Sequence, residues 1–205
     1  MNIKKYEQLY SSKEYHWGKE PNKLVSKMLD FLPSVSLDDK VVLDLGCGEG
    51  RDSVYLAKKG FNVTGVEILR SGLLKTEKWA NENGVNINLV EGNVNDLVIF
   101  EKVDVLLGMG ILQYLRPEKR LKQIQHFKDM TNTGGVHVLF AFTEHPEVEQ
   151  APDWGQEECL YKQGELLSYY DDWKVLLKSE YIMKDITLDR IPHSHFKTAL
   201  IVRKP

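Results

Sequence analysis

The sequence contains few cysteines and no excess of positive charge. Its 205 residues include two cysteines, Cys47 and Cys159, which form no CxxC pair. We therefore predict neither a disulfide framework nor a cysteine-based metal site. Lysine and arginine number 27 against 30 aspartate and glutamate residues, so the formal net charge is -3. This charge balance does not favour binding to the phosphate backbone of a nucleic acid, so we expect no nucleic acid partner.

Long apolar runs are absent as well. No stretch approaches the roughly 20 apolar residues that a membrane-spanning helix needs, and no apolar segment follows the lysines near the N-terminus. We therefore expect a cytoplasmic protein with no membrane partner. Hydrophobic residues make up 42% and charged residues 28%, which is ordinary for a globular protein of one domain. The sequence is compatible with a monomer or a homodimer.

Strand-like and helix-like patterns alternate along the chain. Such alternation predicts a parallel sheet with helices on both faces, because each parallel crossover needs a helix. Apolar runs predict five parallel strands, at residues 40–46, 61–67, 85–93, 102–110 and 134–143. Two more strand patterns, at 180–188 and 196–204, are joined by a short connection and should form an antiparallel hairpin. The predicted fold is an α/β, Rossmann-like, doubly wound seven-stranded sheet, mostly parallel with an antiparallel C-terminal strand.

Helical periodicity fills the spaces between the strands. Pro21 opens the first helical pattern and Pro33 ends it. Two further patterns cover residues 51–60 and 71–84. A helix beginning at Pro117 should direct four side chains to or near one side, namely Leu121, Ile124, Phe127 and Lys128. A last helix is predicted from the stripe Leu166, Leu167, Tyr170 and Trp173.

Three glycines at alternate positions follow the first strand, in VLDLGCGEG at residues 42–50. Asp44 stands two residues before the first of these glycines, where a carboxylate is a poor neighbour for pyrophosphate but a good one for an ammonium group or a ribose hydroxyl. Glu67 ends the second strand, where it can accept both hydroxyls of a ribose. The implied ligand has a ribose, a base and a cationic amino-acid end but no phosphates, which describes S-adenosylmethionine.

On these residues, with EGNVNDL at the end of the third strand and VDVLLGMGILQYL in and after the fourth, the sequence resembles the class I S-adenosylmethionine-dependent methyltransferases. The resemblance runs from about Val41 to the C-terminus. It implies that S-adenosylmethionine is bound and S-adenosylhomocysteine released. The residues that it assigns to the cofactor are Asp44, Gly46, Cys47, Gly48, Glu67, Ile68, Asn93, Val94, Gly108 and Met109.

The resemblance also implies individual roles. Gly46 and Gly48 let the backbone approach the cofactor closely, and Asp44 meets the amino end of its methionine part. Asn93 stands where the family commonly has an aspartate that bonds the adenine amino group, and its amide oxygen can accept the same bond. Val94 offers its backbone N–H to the base. Gly108 and Met109 line the methionine side, and Cys47 is interpreted as a small buried turn residue, not as a nucleophile.

The N-terminal segment LYSSKEYHWGKEP interleaves Tyr10, Tyr15 and Trp17. These residues either fold over the cofactor, where Tyr10 and Trp17 would form an aromatic wall for a sulfonium, or pack the N-terminus onto the core. With GELLSYYDDW and the closing VRK, the segment is similar to the tellurite-resistance (TehB-type) and thiopurine-type branch of small-molecule methyltransferases. The resemblance implies a thiol or a chalcogen oxyanion such as tellurite as acceptor. An O- or N-methyltransferase of another small metabolite is the alternative.

The segment DRIPHSHF, between the last two strands, supplies candidate residues for the acceptor. His193 and His195 would point to one side in an extended chain, and they could bind an anion or accept a proton. Arg116 and Arg190 could add positive charge. A surface pair without chemistry is the alternative, and no metal site is predicted because no third ligand is evident at a fixed spacing.

One domain, residues 1–205, is predicted. It comprises an N-terminal lid at 1–20, a cofactor-binding core at 21–140, an insertion loop at 145–163, and a helix with the terminal hairpin at 164–205. Two functions from other classes compete with a methyltransferase. An NAD-binding oxidoreductase should carry GxGxxG, whereas this turn reads GxGxG. A protein that senses S-adenosylmethionine would bind it without turnover.

Overall fold

The computed structural model describes residues 3–32, 37, 39–152, 154–187 and 190–205. Pro33, which is predicted to end the first helical pattern, lies outside these residues. The described chain forms a seven-stranded sheet with the order β3-β2-β1-β4-β5-β7-β6. The strands are β1 (Val41–Leu45), β2 (Asn62–Glu67), β3 (Asn88–Glu91), β4 (Val103–Met109), β5 (Thr131–Phe142), β6 (Lys174–Ile186) and β7 (Pro192–Arg203).

Strand directions confirm the predicted fold class. β1 to β5 pair in parallel. β7 pairs antiparallel with both β5 and β6, so β6 runs in the direction of the first five strands. The carboxyl ends of six strands therefore lie at one edge of the sheet, which is the edge where ligands bind in folds of this kind. The connection between β6 and β7 lies at that same edge.

Six helices accompany the strands in the described residues. They are α1 (Ile3–Ser11), α2 (Lys23–Met28), α3 (Arg51–Ala57), α4 (Arg70–Glu82), α5 (Pro117–Asp129) and α6 (Glu165–Ser168). None of them is both long enough and apolar enough to cross a membrane.

The helices differ from the sequence prediction in three places. α1 is not predicted, because its sequence IKKYEQLYS is mostly polar and Tyr10 is its one buried residue. α2 begins at Lys23 instead of Pro21, since the Asn22 side chain caps it by accepting the Leu24 N–H at 3.0 Å. The last helix is a single turn, and Tyr170 and Trp173 lie beyond its end although both are buried.

The sheet is covered on both faces. One face packs Leu43, Leu106 and Leu200 against α5, and the other packs Val42 and Val105 against α2 and α3. Alternate residues of each strand point to opposite faces, which is why neighbouring positions divide between the two cores.

Leu121 of α5 is 70% exposed, whereas Ile124, Phe127 and Lys128, which are predicted to lie on or near the same side of the helix, are buried. The neighbouring Arg120 takes the core-facing position instead. Its guanidinium donates to the carbonyls of Leu115 and Cys159 and pairs with Glu165 at 2.9 Å. A buried arginine is tolerated when its N–H donors are all hydrogen-bonded. The periodicity of apolar residues cannot predict such a position, because arginine counts as polar.

Candidate active site

The turn between β1 and α3 is fixed by the end of β2. The backbone N–H groups of Gly46 and Cys47 both donate to the Val66 carbonyl, at 2.8 and 3.0 Å. Gly46 and Gly48 have positive φ angles of 68° and 56°, which glycine adopts without steric cost. A Cβ at Gly46 would lie 2.9 Å from the Ile111 side chain, and one at Gly48 would lie 3.1 Å from the Tyr10 hydroxyl. The glycines therefore let neighbouring segments close around the turn.

Asp44 is buried at the end of β1. Its carboxylate accepts a 2.6 Å hydrogen bond from the Ser53 hydroxyl of α3. Burial and the nearby Asp52 raise the pKa of Asp44 to about 7, although the Ser53 bond and Arg51 act in the opposite direction. A buried carboxyl with a pKa near neutrality is a typical feature of a functional site, because an incoming cation would stabilise its charged form.

Glu67 ends β2 with its carboxylate turned back toward the glycine turn. It accepts hydrogen bonds from the backbone N–H groups of Gly48 at 3.2 Å, Ile68 at 2.9 Å and Leu69 at 3.0 Å. Burial raises its pKa, while these three donors lower it. The carboxylate is thus oriented before any ligand arrives, with lone pairs left to accept hydroxyl donors.

A cavity of about 310 Å³ opens beside Glu67. Its size is at the lower end of the range of roughly 300–1,000 Å³ for small-molecule sites. Six of the predicted residues line it, namely Gly46, Glu67, Ile68, Asn93, Val94 and Arg116. Arg116, expected beside the acceptor, therefore shares its cavity with the residues expected around the base. The lining residues that the prediction missed are Ile3, Leu45, Val66, Gly92, Asn95, Ile111, Tyr114 and Glu157.

The loops after β3 and β4 are tied together on one wall of this cavity. The Asn93 amide oxygen accepts from the backbone N–H and the side-chain amide of Asn95, at 2.9 and 3.0 Å. Asn95 also donates to the Tyr114 carbonyl and accepts from the Arg116 N–H. Asn93 is thus held by a neighbour two residues away. Asparagine commonly bonds the backbone two residues further on, so the sequence NVN at residues 93–95 could have predicted this contact.

Helix α1 packs against α4 and reaches the cavity at its first residue. Ile3 lines the cavity, and the Tyr6 hydroxyl is 3.2 Å from the hydroxyl of Tyr114. Tyr10 is buried next to Gly48 and Gly72, and burial together with the charge of Glu67 raises its pKa. Tyr6 and Tyr10 therefore lie close to the cavity and to the glycine turn, whereas Tyr15 packs against Trp79.

The segment that follows α1 is held by a buried ion pair. Lys75 of α4 lies 2.5 Å from Glu49 of the turn, and the same ammonium donates to the Glu14 carbonyl. The Trp17 N–H donates to Glu49 at 3.2 Å, and the Trp17 carbonyl accepts from Arg51. Trp17 is thus attached through its backbone, while its side chain is 45% exposed. Glu49 and Lys75 were not predicted as site residues.

Seven predicted cofactor residues are not among the described residues that line the cavity. Three of them, Asp44, Tyr10 and Trp17, are described above, and the other four serve packing. Cys47 is buried with its sulfur against Gly65, and burial raises the pKa of its thiol. A Cβ at Gly108 would meet Leu139 at 2.8 Å. Met109 packs against the cluster of Phe140, Phe142 and Ala199. Gly48, the fourth, borders Tyr10 as described above.

His193 and His195 lie within β7, not in the connection that precedes it, because β7 begins at Pro192. Their Nε2 atoms are 2.9 Å apart, as expected of residues i and i+2 in an extended chain. Asp185 of β6 pairs with His193 across the hairpin, and its carboxylate is 3.9 Å from the His195 Nε2. Arg190 is exposed in the connection with a φ of 61°. Asp185 was missed because only the hairpin register brings it to the histidines.

An aromatic patch packs around His195. The His195 ring lies between Phe142 and Trp154, with ring centres 4.4 and 5.0 Å away. The Lys197 ammonium is 3.5 Å from the centre of the Phe140 ring. Burial and the charge of Arg51 lower the pKa of Lys197 to about 8, so a fraction of this amine is neutral near physiological pH.

Comparisons of the sequence with known proteins agree on one family. A family model described as "Tellurite resistance protein TehB" matches residues 6–190. A curated "Probable S-adenosyl-L-methionine-dependent methyltransferase TehB" of Haemophilus influenzae is 28% identical over 139 residues, which are 68% of this chain and 48% of the relative. The chain spans about half the length of the curated TehB relatives that it matches.

Solved structures share the fold. TehB of Haemophilus influenzae superposes with a TM-score of 0.78 at 23% identity, covering 98% of this chain and 66% of that one. The N-methyltransferase NodS of Bradyrhizobium japonicum, solved with S-adenosyl-L-homocysteine, gives a TM-score of 0.72 at 13% identity and covers 98% and 97% of the two chains. The sheet described above is therefore the sheet of S-adenosylmethionine-dependent methyltransferases.

Proposed function

We propose that this chain, which belongs to the family of the tellurite resistance protein TehB, transfers a methyl group from S-adenosylmethionine to a small acceptor. One observation carries the proposal. The oriented, buried carboxylate of Glu67 lies on the wall of a cavity of about 310 Å³, beside the glycine turn and in the same lining as Ile3 of α1. The alternatives from other classes are an NAD-binding oxidoreductase and a protein that binds S-adenosylmethionine without turnover.

The residues present suit the parts of the cofactor. Glu67 would hold the ribose hydroxyls, and the wall formed by Asn93, Val94 and Asn95 would hold the adenine. Asp44 would meet the ammonium of the methionine part, which compensates the cost of a buried carboxylate. A dinucleotide fits less well, because the acidic side chain of Asp44 stands beside the glycine turn, where its pyrophosphate would need donors. Glu67 does not discriminate, since a carboxylate that ends the second strand suits the ribose of either ligand.

When bound, S-adenosylmethionine would supply an electrophilic methyl group for transfer from its sulfur to the acceptor. The chain contributes orientation and exclusion of water. Helix α1 and the segment held by Glu49 would cover the cofactor. Trp17 and Tyr10 would supply aromatic surface near the sulfonium.

The acceptor would enter beside the aromatic patch at the carboxyl edge. Lys197 and Arg51 bring positive charge to this side of the sheet. Such charge favours a thiolate or an oxyanion, and a soft nucleophile of this kind needs positioning more than a strong base. We therefore favour a thiol or a chalcogen oxyanion such as tellurite, with His193 and His195 as candidate acceptor-side residues. Arg116, which lines the cavity with the residues expected around the base, is not placed on the acceptor side. An O- or N-methyltransferase of another metabolite is the second candidate.

Calorimetry with S-adenosylhomocysteine and with NAD tests the cofactor. We expect S-adenosylhomocysteine to bind the wild type and NAD not to bind, and Glu67→Ala to lower the affinity at least about tenfold, or 1.4 kcal/mol. Glu91→Ala is a matched control, because Glu91 ends β3 directly beside Glu67 but is exposed. Binding of NAD alone, or an unchanged affinity in Glu67→Ala, would overturn the cofactor assignment.

Release of S-adenosylhomocysteine tests the acceptor. The panel contains small thiols, selenite and tellurite, with catechols and primary amines as representatives of O- and N-acceptors. Turnover with the first group supports the favoured acceptor, and turnover restricted to the second group supports the alternative. Cofactor binding without turnover on any of them would favour a non-catalytic role.

A further inference from the structure

The hairpin of β6 and β7 gathers three side chains that have no part in the cofactor cavity. They are Asp185, His193 and His195, and one ligand atom from each lies within 4.8 Å of the others. We propose that these three residues bind a divalent transition-metal ion of the zinc type at the carboxyl edge of the sheet. The proposal does not depend on the methyltransferase function.

The spacing of the atoms suits a metal ion. Zinc binds imidazole nitrogen at about 2.0–2.1 Å, so two ligand atoms in a tetrahedral site are about 3.3 Å apart. The two Nε2 atoms are 2.9 Å apart, and the Asp185 oxygen is 3.9 Å from the Nε2 of His195. These two distances bracket the ideal value, and small rotations of the side chains would reach it.

The fold holds the cluster in place. Asp185 and His193 are direct cross-strand partners, and His195 follows two residues later on the same face of β7. The His195 ring is buried and fixed between Phe142 and Trp154. The ligands are therefore largely preorganised, which lowers the ordering cost of binding.

The second nitrogen of His193 has the partner that a metal ligand usually has. Its Nδ1 lies 3.3 Å from the Ile191 carbonyl, an acceptor that favours a proton on Nδ1. In the neutral ring the Nε2 atom then carries the lone pair, and it points toward His195. A metal ion bound by both imidazoles would accept this lone pair, and the Asp185 carboxylate would add negative charge to the site.

The donor set selects the class of metal. Two imidazoles and one carboxylate suit zinc and similar borderline ions, whereas calcium and magnesium prefer oxygen ligands. Three protein ligands leave a fourth position for water or an anion. Asp185 is exposed, so the site is reachable from solvent.

Titration calorimetry with zinc chloride on the full, chelator-treated chain tests the proposal. We expect one zinc per chain, and at least about tenfold weaker binding in Asp185→Asn and in His193→Gln, the lower end of the loss that disturbing a metal site causes. His145→Gln is the matched control, because His145 stacks on Phe196 next to the cluster but contributes no ligand. It should bind zinc like the wild type.

Cobalt absorption and thermal unfolding complete the test. Cobalt(II) should give visible ligand-field bands with the wild type and the control but not with His195→Gln, and zinc should raise the Tm of the same two proteins. If His195→Gln does not fold, the test relies on Asp185→Asn and His193→Gln, because Asp185 is exposed and His193 is half-buried. No zinc binding by the wild type, or equal binding by the wild type and the Asp185 and His193 variants, would overturn the proposal.

Discussion

The Lys75 ammonium lies 2.5 Å from the Glu49 carboxylate, and both side chains are buried between α4 and the glycine turn. Glu49 also accepts the N–H of Trp17, while Lys75 donates to the carbonyl of Glu14. One ion pair thus connects the glycine turn to the chain that follows α1. Because the pair is buried, removing one partner leaves an uncompensated charge.

Lys75→Met should therefore lower the free energy of unfolding by about 3 kcal/mol or more, measured by urea denaturation. The same variant should also release residues 14–17, so trypsin should cut faster at Lys13 and Lys19. Lys78→Met is the control, because Lys78 is exposed and pairs with Glu82 at 3.9 Å. It should cost at most about 1 kcal/mol. Equal losses in the two variants would contradict the role given to the buried pair.

Gly46→Ala should weaken cofactor binding through Ile111. The new Cβ would lie 2.9 Å from the Ile111 side chain, which lines the cavity, and would push it inward. We expect the affinity for S-adenosylhomocysteine to fall about tenfold, equivalent to 1.4 kcal/mol, measured by calorimetry.

Gly84→Ala separates this effect from backbone strain. Gly84 has a φ of 67°, matching the 68° of Gly46, but a Cβ there would meet no described atom within 4 Å. Both variants should lose about 1–2 kcal/mol of stability from the left-handed backbone, and Gly46→Ala additionally about 1–3 kcal/mol from overpacking. The affinity should fall in Gly46→Ala alone, and a similar fall in Gly84→Ala would refute the mechanism.

The sequence predicts the parallel sheet and the carboxyl-edge position of Glu67 because both follow from periodicity and strand ends. Helix α1 is not predicted because its sequence is mostly polar. Its contact with α4 stabilises it, and a local sequence pattern contains no information about that contact. Asp185 is not predicted for a related reason. It meets His193 only through the register of the hairpin, and a slip of one residue would turn it to the other face.

His137 should contribute to acid unfolding. Its ring is buried between the Thr131 hydroxyl at 2.7 Å and the Tyr170 hydroxyl at 2.8 Å. Burial, with the charges of Lys128 and Lys204, lowers its pKa to about 3. Because the unfolded chain takes up the proton first, at about pH 6.5, stability should fall as the pH drops from 6.5 toward 3.

The contribution of His137 can amount to roughly 4–5 kcal/mol over that range. Two measurements check it. The urea midpoint should decrease steadily below pH 6.5, and His137→Gln should flatten that decrease. In the NMR spectrum of the wild type, the His137 ring signals should stay constant from pH 8 to pH 5. A ring that titrates near pH 6.5 would disprove the lowered pKa.

Asp44 should couple cofactor binding to proton release. Its folded pKa of about 7 lies above the ordinary value of 3.8, so the stability of the free protein should fall as the pH rises from about 4 to 7 and then level off. If the methionine ammonium meets Asp44, binding favours the ionised carboxylate. Close to one proton should then be released per S-adenosylhomocysteine bound at pH 6, and almost none at pH 8.5.

Calorimetry in buffers of different ionisation enthalpy measures this release, and Asp44→Asn should abolish it. Asp52→Asn is a sharper control. Asp52 raises the pKa of Asp44 by charge repulsion, so its removal should shift the release to lower pH without eliminating it. The affinity of the wild type should rise nearly tenfold from pH 5 to pH 6 and level off above pH 7. An affinity that does not change over this range, with no proton released, would mean that Asp44 does not face the cofactor ammonium.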